Sequence, residues 1–326
     1  MIKFATIGTS RITDRFVKGA LATGRLTLGA VYSRSNDTGL AFAQKFGCKR
    51  VYTSLTDLAN DREIDAVYVA SPNVFHAEQS ELLLKSGKHV ICEKPITTSA
   101  SEYKRLKSLA DQKGLIYFEA IIPLYNPSRN RIKAALKEIG NIAMAKLDYC
   151  QRSSRYDSFL NGEKINIFDM SLHAGTLMDL GVYCVYAAVD LFGEPKNIKA
   201  SASLLKNGAD GSGIAIFEYD KFSVALTYSK TGQSQAPTEI IGDDGSIVMQ
   251  AVGYYQQGYL VKNGEQTPLF DDVSKETLMG YEAAALCDFI NGARLDEYRN
   301  NSEICSIVHK CMDTIKQKAK IKYGNI

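Results

Sequence analysis

The first 120 residues alternate short β-branched runs with segments of helical periodicity, and this alternation constrains the fold more than any other feature of the chain. Strand-like runs fall at 2–8, 26–32 (LTLGAVY), 64–70 (IDAVYVA), 89–92 (HVIC) and 115–119. Helices are expected between them at 13–22, 38–46, 75–86 and 101–112. Strand and helix in strict turn imply βαβ units and a parallel sheet. The runs are almost continuously apolar, as strands covered on both faces must be.

The pattern changes near residue 123. Pro123 and Pro127 bracket a break, and a helix is expected at 129–137. Strand-like runs then dominate, at 143–149, 198–205, 214–219, 222–228, 239–241, 246–250 and 254–261. Turn signals separate several of them: YDKF, GDDGS and KNGE, the last an Asn-Gly hairpin turn. Consecutive strands joined by short turns imply an antiparallel sheet. Two helices, at 273–291 and 302–318, close the chain. The expected division is an α/β domain over 1–120 and an α+β domain over 121–326.

A chain of 326 residues can bury the cores of two such domains. The net charge of +3 is small, and the lysines at 316, 318, 320 and 322 suit a solvated helix end, so no nucleic-acid partner is expected. The seven cysteines are widely spread, with no C-x-x-C pair and no zinc-ligand spacing. A reduced, cytoplasmic protein without a metal is therefore expected. The first strand is expected to start within three residues of Met1, so no signal peptide is expected. No apolar run is expected to reach the roughly 18 residues that a membrane span needs.

The stretch FATIGTSRIT, 4–13, resembles a strand-turn-helix phosphate site with two of its three glycines replaced. A pyrophosphate binds at a helix N-terminus because unpaired N–H groups and the helix dipole point at it. Gly8 keeps the turn, Ser10 is small and hydroxylated, and Thr13 must pack where glycine would let helix meet strand. Taken alone, such a turn is equally an ordinary βα loop. The end of the second strand then bears on the cofactor. An NAD site places an acidic residue there for the ribose 2′-hydroxyl. This chain has Tyr32-Ser33-Arg34-Ser35 and no carboxylate before Asp37. A guanidinium flanked by hydroxyls suits a 2′-phosphate, which favours NADP over NAD, the other reading of Arg34 being a solvated loop arginine.

The segment SPNVFHAEQSELLLKSGKHVICEKPITTSASE, 71–102, is more specific. With Ser71-Pro72-Asn73, His76, Gly87-Lys88-His89-Val90 and Glu93-Lys94-Pro95, it resembles the Gfo/Idh/MocA oxidoreductase family. A second block, HAGTLMDLGVYCVYAAVDLFG at 173–193, resembles that family's Asp-x-Gly-x-His/Tyr helix. The resemblance implies an N-terminal Rossmann domain and a C-terminal α+β domain with a large open, mainly antiparallel sheet. Tyr183 in place of histidine points toward the branch similar to dihydrodiol dehydrogenase and NADP-dependent xylose dehydrogenase. By the same resemblance Gly8, Thr9, Ser10, Arg11, Ile12, Ser33, Arg34, Ser71, Pro72, Asn73, His76, Glu93 and Lys94 are expected to bind cofactor.

The implied activity is hydride transfer between nicotinamide and a carbinol of a sugar, polyol or dihydrodiol. Lys94, Asp179 and Tyr183 are the expected catalytic residues. A phenol with a pKa near 10 is a poor base, and a nearby ammonium favours the phenolate. Asp179 stands four residues before Tyr183, a spacing that places both on one face of an α-helix. Departures from the family pattern at Pro123-Leu124-Tyr125-Asn126-Pro127 and at Ala174 leave the substrate open. Arg152, Arg155, Tyr156, Lys164 and His173 are candidates to contact it, and a polar loop or a structural histidine explains them equally. A homodimer through the open sheet is expected. The alternative function is a non-enzymatic NAD(P)-binding regulator of the same fold.

Overall fold

The structure, a computed structural model, describes residues 1–323 as two units. One comprises Met1–Ile122 with Ser274–Ser302, the other Pro123–Val273 with residues 303–323.

The first unit is built on a six-stranded sheet of β1 (Ile2–Ile7), β2 (Leu26–Tyr32), β3 (Val51–Tyr52), β4 (Ala66–Val69), β5 (His89–Glu93) and β6 (Tyr117–Ala120). Its order is β3-β2-β1-β4-β5-β6 and every pairing is parallel. Phe4, Ala5, Val31, Val67, Tyr68, Val69, Val90 and Ile91 are buried, which explains the unbroken apolar runs of the sequence. Strand order reverses between β1 and β4, the switch point where such sheets hold ligands. Four helices of this unit start on a serine cap. Ser35, Ser54, Ser99 and Ser274 accept the N–H of Thr38, Asp57, Glu102 and Thr277.

The helix Arg11–Ala22 covers the sheet with Thr13, Phe16, Val17 and Ala20, and Phe16 stacks on Tyr68 with 3.8 Å between ring centroids. Its other face meets the late helix Lys275–Ile290 at two glycines. A Cβ on Gly19 would lie 2.6 Å from the Glu276 carbonyl oxygen and 2.6 Å from the Gly280 nitrogen. Segment 274–302 therefore groups with the nucleotide-type half, although a single boundary at 120 assigns it to the other domain. This follows from packing across more than 250 positions of sequence, which periodicity does not encode.

The second unit carries an eight-stranded sheet of β7 (Ile142–Cys150), β8 (Asn197–Leu204), β9 (Asp210–Glu218), β10 (Ser223–Ser229), β11 (Thr238–Gly242), β12 (Ser246–Ala251), β13 (Gln256–Lys262) and β14 (Glu265–Pro268). The order is β14-β13-β12-β11-β7-β10-β9-β8. Only β7 and β10 pair in parallel. The Asn-Gly turn between β13 and β14 has positive φ at both residues, Asn263 at 51° and Gly264 at 81°, as a type I′ hairpin requires. One sheet face buries Ala145, Leu147, Ala215, Phe217, Val224, Leu226 and Tyr228.

Against that face runs the helical segment Met170–Phe192. It is long and apolar enough by composition to cross a membrane, contrary to the expectation of no such run, and 83% of its most apolar window is buried inside the protein. It serves as a core helix. Its last part, Val182–Phe192, is fastened to the helix Ser128–Ala135 by the Arg129 guanidinium, whose Nε donates to both Asp190 carboxylate oxygens at 3.0 Å.

Candidate active site

In the first unit, the ends of β1, β2 and β4 enclose a crevice of about 880 Å³. That is the size of a small-molecule site. Gly8, Thr9, Ser10, Ser33, Arg34, Ser71 and Pro72 line it, all expected from sequence. Gly8 has φ +108°, and a Cβ there would lie 2.7 Å from the Ala70 carbonyl oxygen. Glycine is thus required both by conformation and by the close approach of β1 and β4. Ser10 is the N-cap of the helix Arg11–Ala22, but its side chain makes no capping bond. Arg11 and Ile12 open that helix, whose first N–H groups lack intrahelical partners by geometry. Thr13, standing where glycine is usual, is fully buried, and its hydroxyl lies 3.3 Å from that of Ser10.

At the other end of the crevice, Ser33 Oγ accepts the Ser35 N–H at 3.3 Å, and Ser35 in turn caps the helix Asn36–Gln44. Arg34 between them is exposed and makes no ion pair among the described residues. Thr38, Leu55, Phe75, Glu78 and Gln79 complete the lining and were not expected. Thr38 and Leu55 come from two other helices, whereas Phe75, Glu78 and Gln79 lie within the 71–102 segment, around the start of the helix His76–Lys85. A dinucleotide fits this lining: a helix N-terminus, a cradle that a Cβ would fill, and an exposed arginine flanked in sequence by two serines.

His76 does not line the crevice. Its ring is buried, with Nδ1 2.9 Å from the Pro95 carbonyl oxygen and Nε2 2.7 Å from that of Ser71. Burial pushes its pKa down although both carbonyls oppose this. The imidazole thus pins the Ser71 loop to the Glu93-Lys94-Pro95 turn. Asn73 begins the short 3₁₀ turn between Ser71 and His76. Glu93 is buried at the end of β5 and accepts a hydrogen bond from the Tyr68 hydroxyl. Burial raises its carboxyl pKa, while Tyr68 and the neighbouring Lys94 charge lower it. Glu282 from the helix Lys275–Ile290 adds a second buried carboxyl whose pKa burial pushes well up, with Glu93 adding to it. Neither of its oxygens has a hydrogen-bond partner among the described residues. Lys94 is half-buried and follows Glu93 directly.

In the second unit, Asp179 lies in a π-helical turn, Leu177–Gly181, and Tyr183 one residue into the α-helix that follows. The wide turn means that their four-residue spacing does not have the ordinary α-helical phase. Asp179 pairs with Lys230. Tyr183 packs between Tyr149, at 5.6 Å between ring centroids, and Tyr254, at 6.4 Å. Burial, Tyr254 and the Asp179 charge push the Tyr149 pKa up. Lys230, Tyr149 and Tyr254 were not expected, since strand periodicity marks them only as strand-end residues.

The remaining candidates have structural partners. Arg152 donates to both oxygens of Asp157, at 3.0 and 2.6 Å, and lies over the Tyr156 ring. Lys164 pairs with Asp169 at 3.1 Å. The Arg155 N–H donates to Ser153 Oγ. His173 ends a 3₁₀ turn in the left-handed conformation, φ +51°, and stacks on Tyr323.

Comparison with known proteins agrees with this architecture. The sequence model of an oxidoreductase family with an NAD-binding Rossmann fold, GFO/IDH/MocA, matches residues 2–121, and that of the GFO/IDH/MocA C-terminal domain matches 131–248. The chain is 38% identical to the scyllo-inositol 2-dehydrogenase (NADP(+)) IolU of Bacillus subtilis, over 99% of this chain and 98% of that protein. It is 26% identical to trans-1,2-dihydrobenzene-1,2-diol dehydrogenase of Danio rerio, over 90% of this chain and 89% of that one. The crystal structure of KijD10, a 3-ketoreductase from Actinomadura kijaniata in complex with NADP and TDP-benzene, shares the fold. Its TM-score is 0.85, with 23% identity and 97% of each chain covered. With family models on both halves and a relative aligned along nearly its whole length, the chain belongs to the GFO/IDH/MocA oxidoreductase family.

Proposed function

We propose that the protein is an NADP-dependent dehydrogenase or reductase that moves a hydride between nicotinamide and a carbinol or carbonyl carbon of a sugar, polyol or dihydrodiol. The observation that carries the cofactor choice is Arg34, an exposed cation on the crevice wall between Ser33 and Ser35. The NADP named for the Bacillus subtilis relative supports it. When bound, NADP supplies the hydride acceptor.

The chain's own residues manage the proton. Tyr183 takes it from the substrate hydroxyl in oxidation and returns it in reduction. Lys94 favours the phenolate of Tyr183 by its positive charge. Asp179 accepts a hydrogen bond from a substrate hydroxyl. Gly8, Thr9, Ser10, Arg11 and Ile12 present backbone to the pyrophosphate. Ser71, Pro72 and Asn73 border the nicotinamide end, and His76 and Glu93 hold that border in shape.

The test is a panel of cyclic polyols, aldoses and dihydrodiols with NADP⁺, run on wild type and Tyr183→Phe. Turnover in wild type and its loss in the variant, with NADPH binding intact, is the expected result. Retained activity in Tyr183→Phe removes that residue from the mechanism.

Two further properties belong to the same reading. The protein is a cytoplasmic homodimer, its subunits joined through the outer face of the eight-stranded sheet. Met144, Ile214 and Ile216 share that face by strand register and are 42%, 55% and 39% exposed. The three form an exposed apolar patch beside the Lys146–Glu239 and Lys199–Glu218 ion pairs of the same face, and an interface can cover such a patch. None of the seven cysteines forms a disulfide with another, which suits a reducing compartment. A single-chain mass by light scattering would refute the dimer.

A further inference from the structure

We propose that Lys230 is a positioning residue of the active site, holding the Asp179 carboxylate in place as the acceptor for a substrate hydroxyl. The inference rests on the reading above, in which Asp179 serves a polyol-like substrate.

Lysines are seldom buried unless paired. Lys230 is 7% exposed, and its Nζ pairs with Asp179 Oδ2. The backbone around it is clamped from two sides. The Lys230 N–H donates to the Gly211 carbonyl at 2.9 Å, and its own carbonyl accepts the Ser153 N–H at 2.8 Å. Just before it, Ser229 Oγ accepts the N–H groups of Thr231 and Gly232, at 3.2 and 2.9 Å. The lysine side chain therefore starts from a backbone anchored on both sides.

Asp179 is different in kind. It rides on a π turn, a feature concentrated at functional sites, and its side chain is 35% exposed. A carboxylate offers about four lone-pair sites, so the ion pair and a substrate hydroxyl do not compete for one position. A buried cation behind an accessible carboxylate is an arrangement for aiming the carboxylate. An ion pair serving the fold alone has no need of the exposed partner.

The test compares Lys230→Met, Lys230→Arg and wild type by steady-state kinetics with NADP⁺ and the fastest polyol of the panel, together with NADPH titration. Losing a charge-assisted contact of this kind changes an equilibrium by about tenfold or more. Lys230→Met should raise the polyol KM by about that factor, with a smaller change in kcat and NADPH affinity unchanged, and Lys230→Arg should recover most of the loss. If Lys230→Met does not fold, Asp179→Asn is compared with the double variant Asp179→Asn/Lys230→Met, which buries no lone charge. Equal polyol KM in those two supports the inference, and a further additive loss overturns it. A wild-type KM in Lys230→Met overturns it as well, as does a joint fall in polyol and NADPH affinity that arginine does not rescue. An enzyme inert toward the whole panel defeats the reading of function and this inference together, whereas an active enzyme indifferent to Lys230→Met defeats only the latter.

Discussion

Replacing Arg34 with alanine should cost the protein its preference for NADPH. Among the residues lining the crevice, Arg34 is the only lysine or arginine and Glu78 the only carboxylate. Arg34→Ala therefore leaves no cationic side chain on the wall where a 2′-phosphate would lie. A hydrogen bond to a charged group is worth about 1.5–3 kcal/mol, and an exposed guanidinium, screened by solvent, falls toward the lower end. A loss of about 1.5–2 kcal/mol corresponds to about 10- to 30-fold weaker NADPH binding. NADH carries a hydroxyl in place of the phosphate, so its affinity should move by less than about threefold. The chain contains no tryptophan, so the titration is best followed through the fluorescence of NADPH itself or by calorimetry. Raising the ionic strength from about 0.1 M to 1 M shortens the screening length from about 10 Å to 3 Å, and should shrink the NADPH preference of wild type far more than that of the variant. Equal losses for both nucleotides would show that Arg34 supports the loop and does not read the phosphate.

Two other outcomes follow from the second unit. Burial pushes the Asp210 carboxyl up to about 7, although the Leu177 N–H bond opposes this. The folded protein keeps a proton there that the unfolded chain releases near pH 4. Stability should therefore fall as pH rises from about 4 to 7 and level off above, by at most about 4 kcal/mol. Asp210→Asn, which mimics the protonated form, should flatten that slope in urea melts at pH 5 and pH 8, and an unchanged slope would reject the assignment. Ile214→Lys with Ile216→Lys places two charges in the exposed Met144, Ile214 and Ile216 patch and should halve the mass seen by light scattering, whereas an unaltered dimer would move the interface elsewhere.

Much of the fold was legible because its signals are local. The stretch LTLGAVY became β2 with the bounds read from sequence, and the Asn-Gly pair made the hairpin it announced. The two-residue β3 was missed because Val51–Tyr52 is too short to show any period. The crevice was legible through Gly8, Ser33, Arg34 and Ser71, which stand at strand ends in motifs. Its other walls were not: Leu55 comes from the helix Leu55–Asn60, and Phe75 and Gln79 face the crevice from the start of the helix His76–Lys85, where helical periodicity does not mark a binding surface. Lys230 was hidden for the same reason. It stands 51 positions from Asp179, and the pair forms only because the turn Leu177–Gly181 packs beside the end of β10. His76 was legible as important, but its place between two carbonyls, rather than on the crevice wall, depends on the path of the Pro95 turn.

The glycine-to-glycine contact of Gly19 with Gly280 bears on how the protein is made. A ribosome that has released the first 122 residues has not yet released the helix that seats against Arg11–Ala22, the helix whose N-terminus faces the cofactor crevice. The nucleotide-binding half thus waits for nearly the whole message before its outer layer can close. An engineer wishing to transplant that half must carry two separate pieces of gene, because the first piece alone leaves the helix Arg11–Ala22 uncovered.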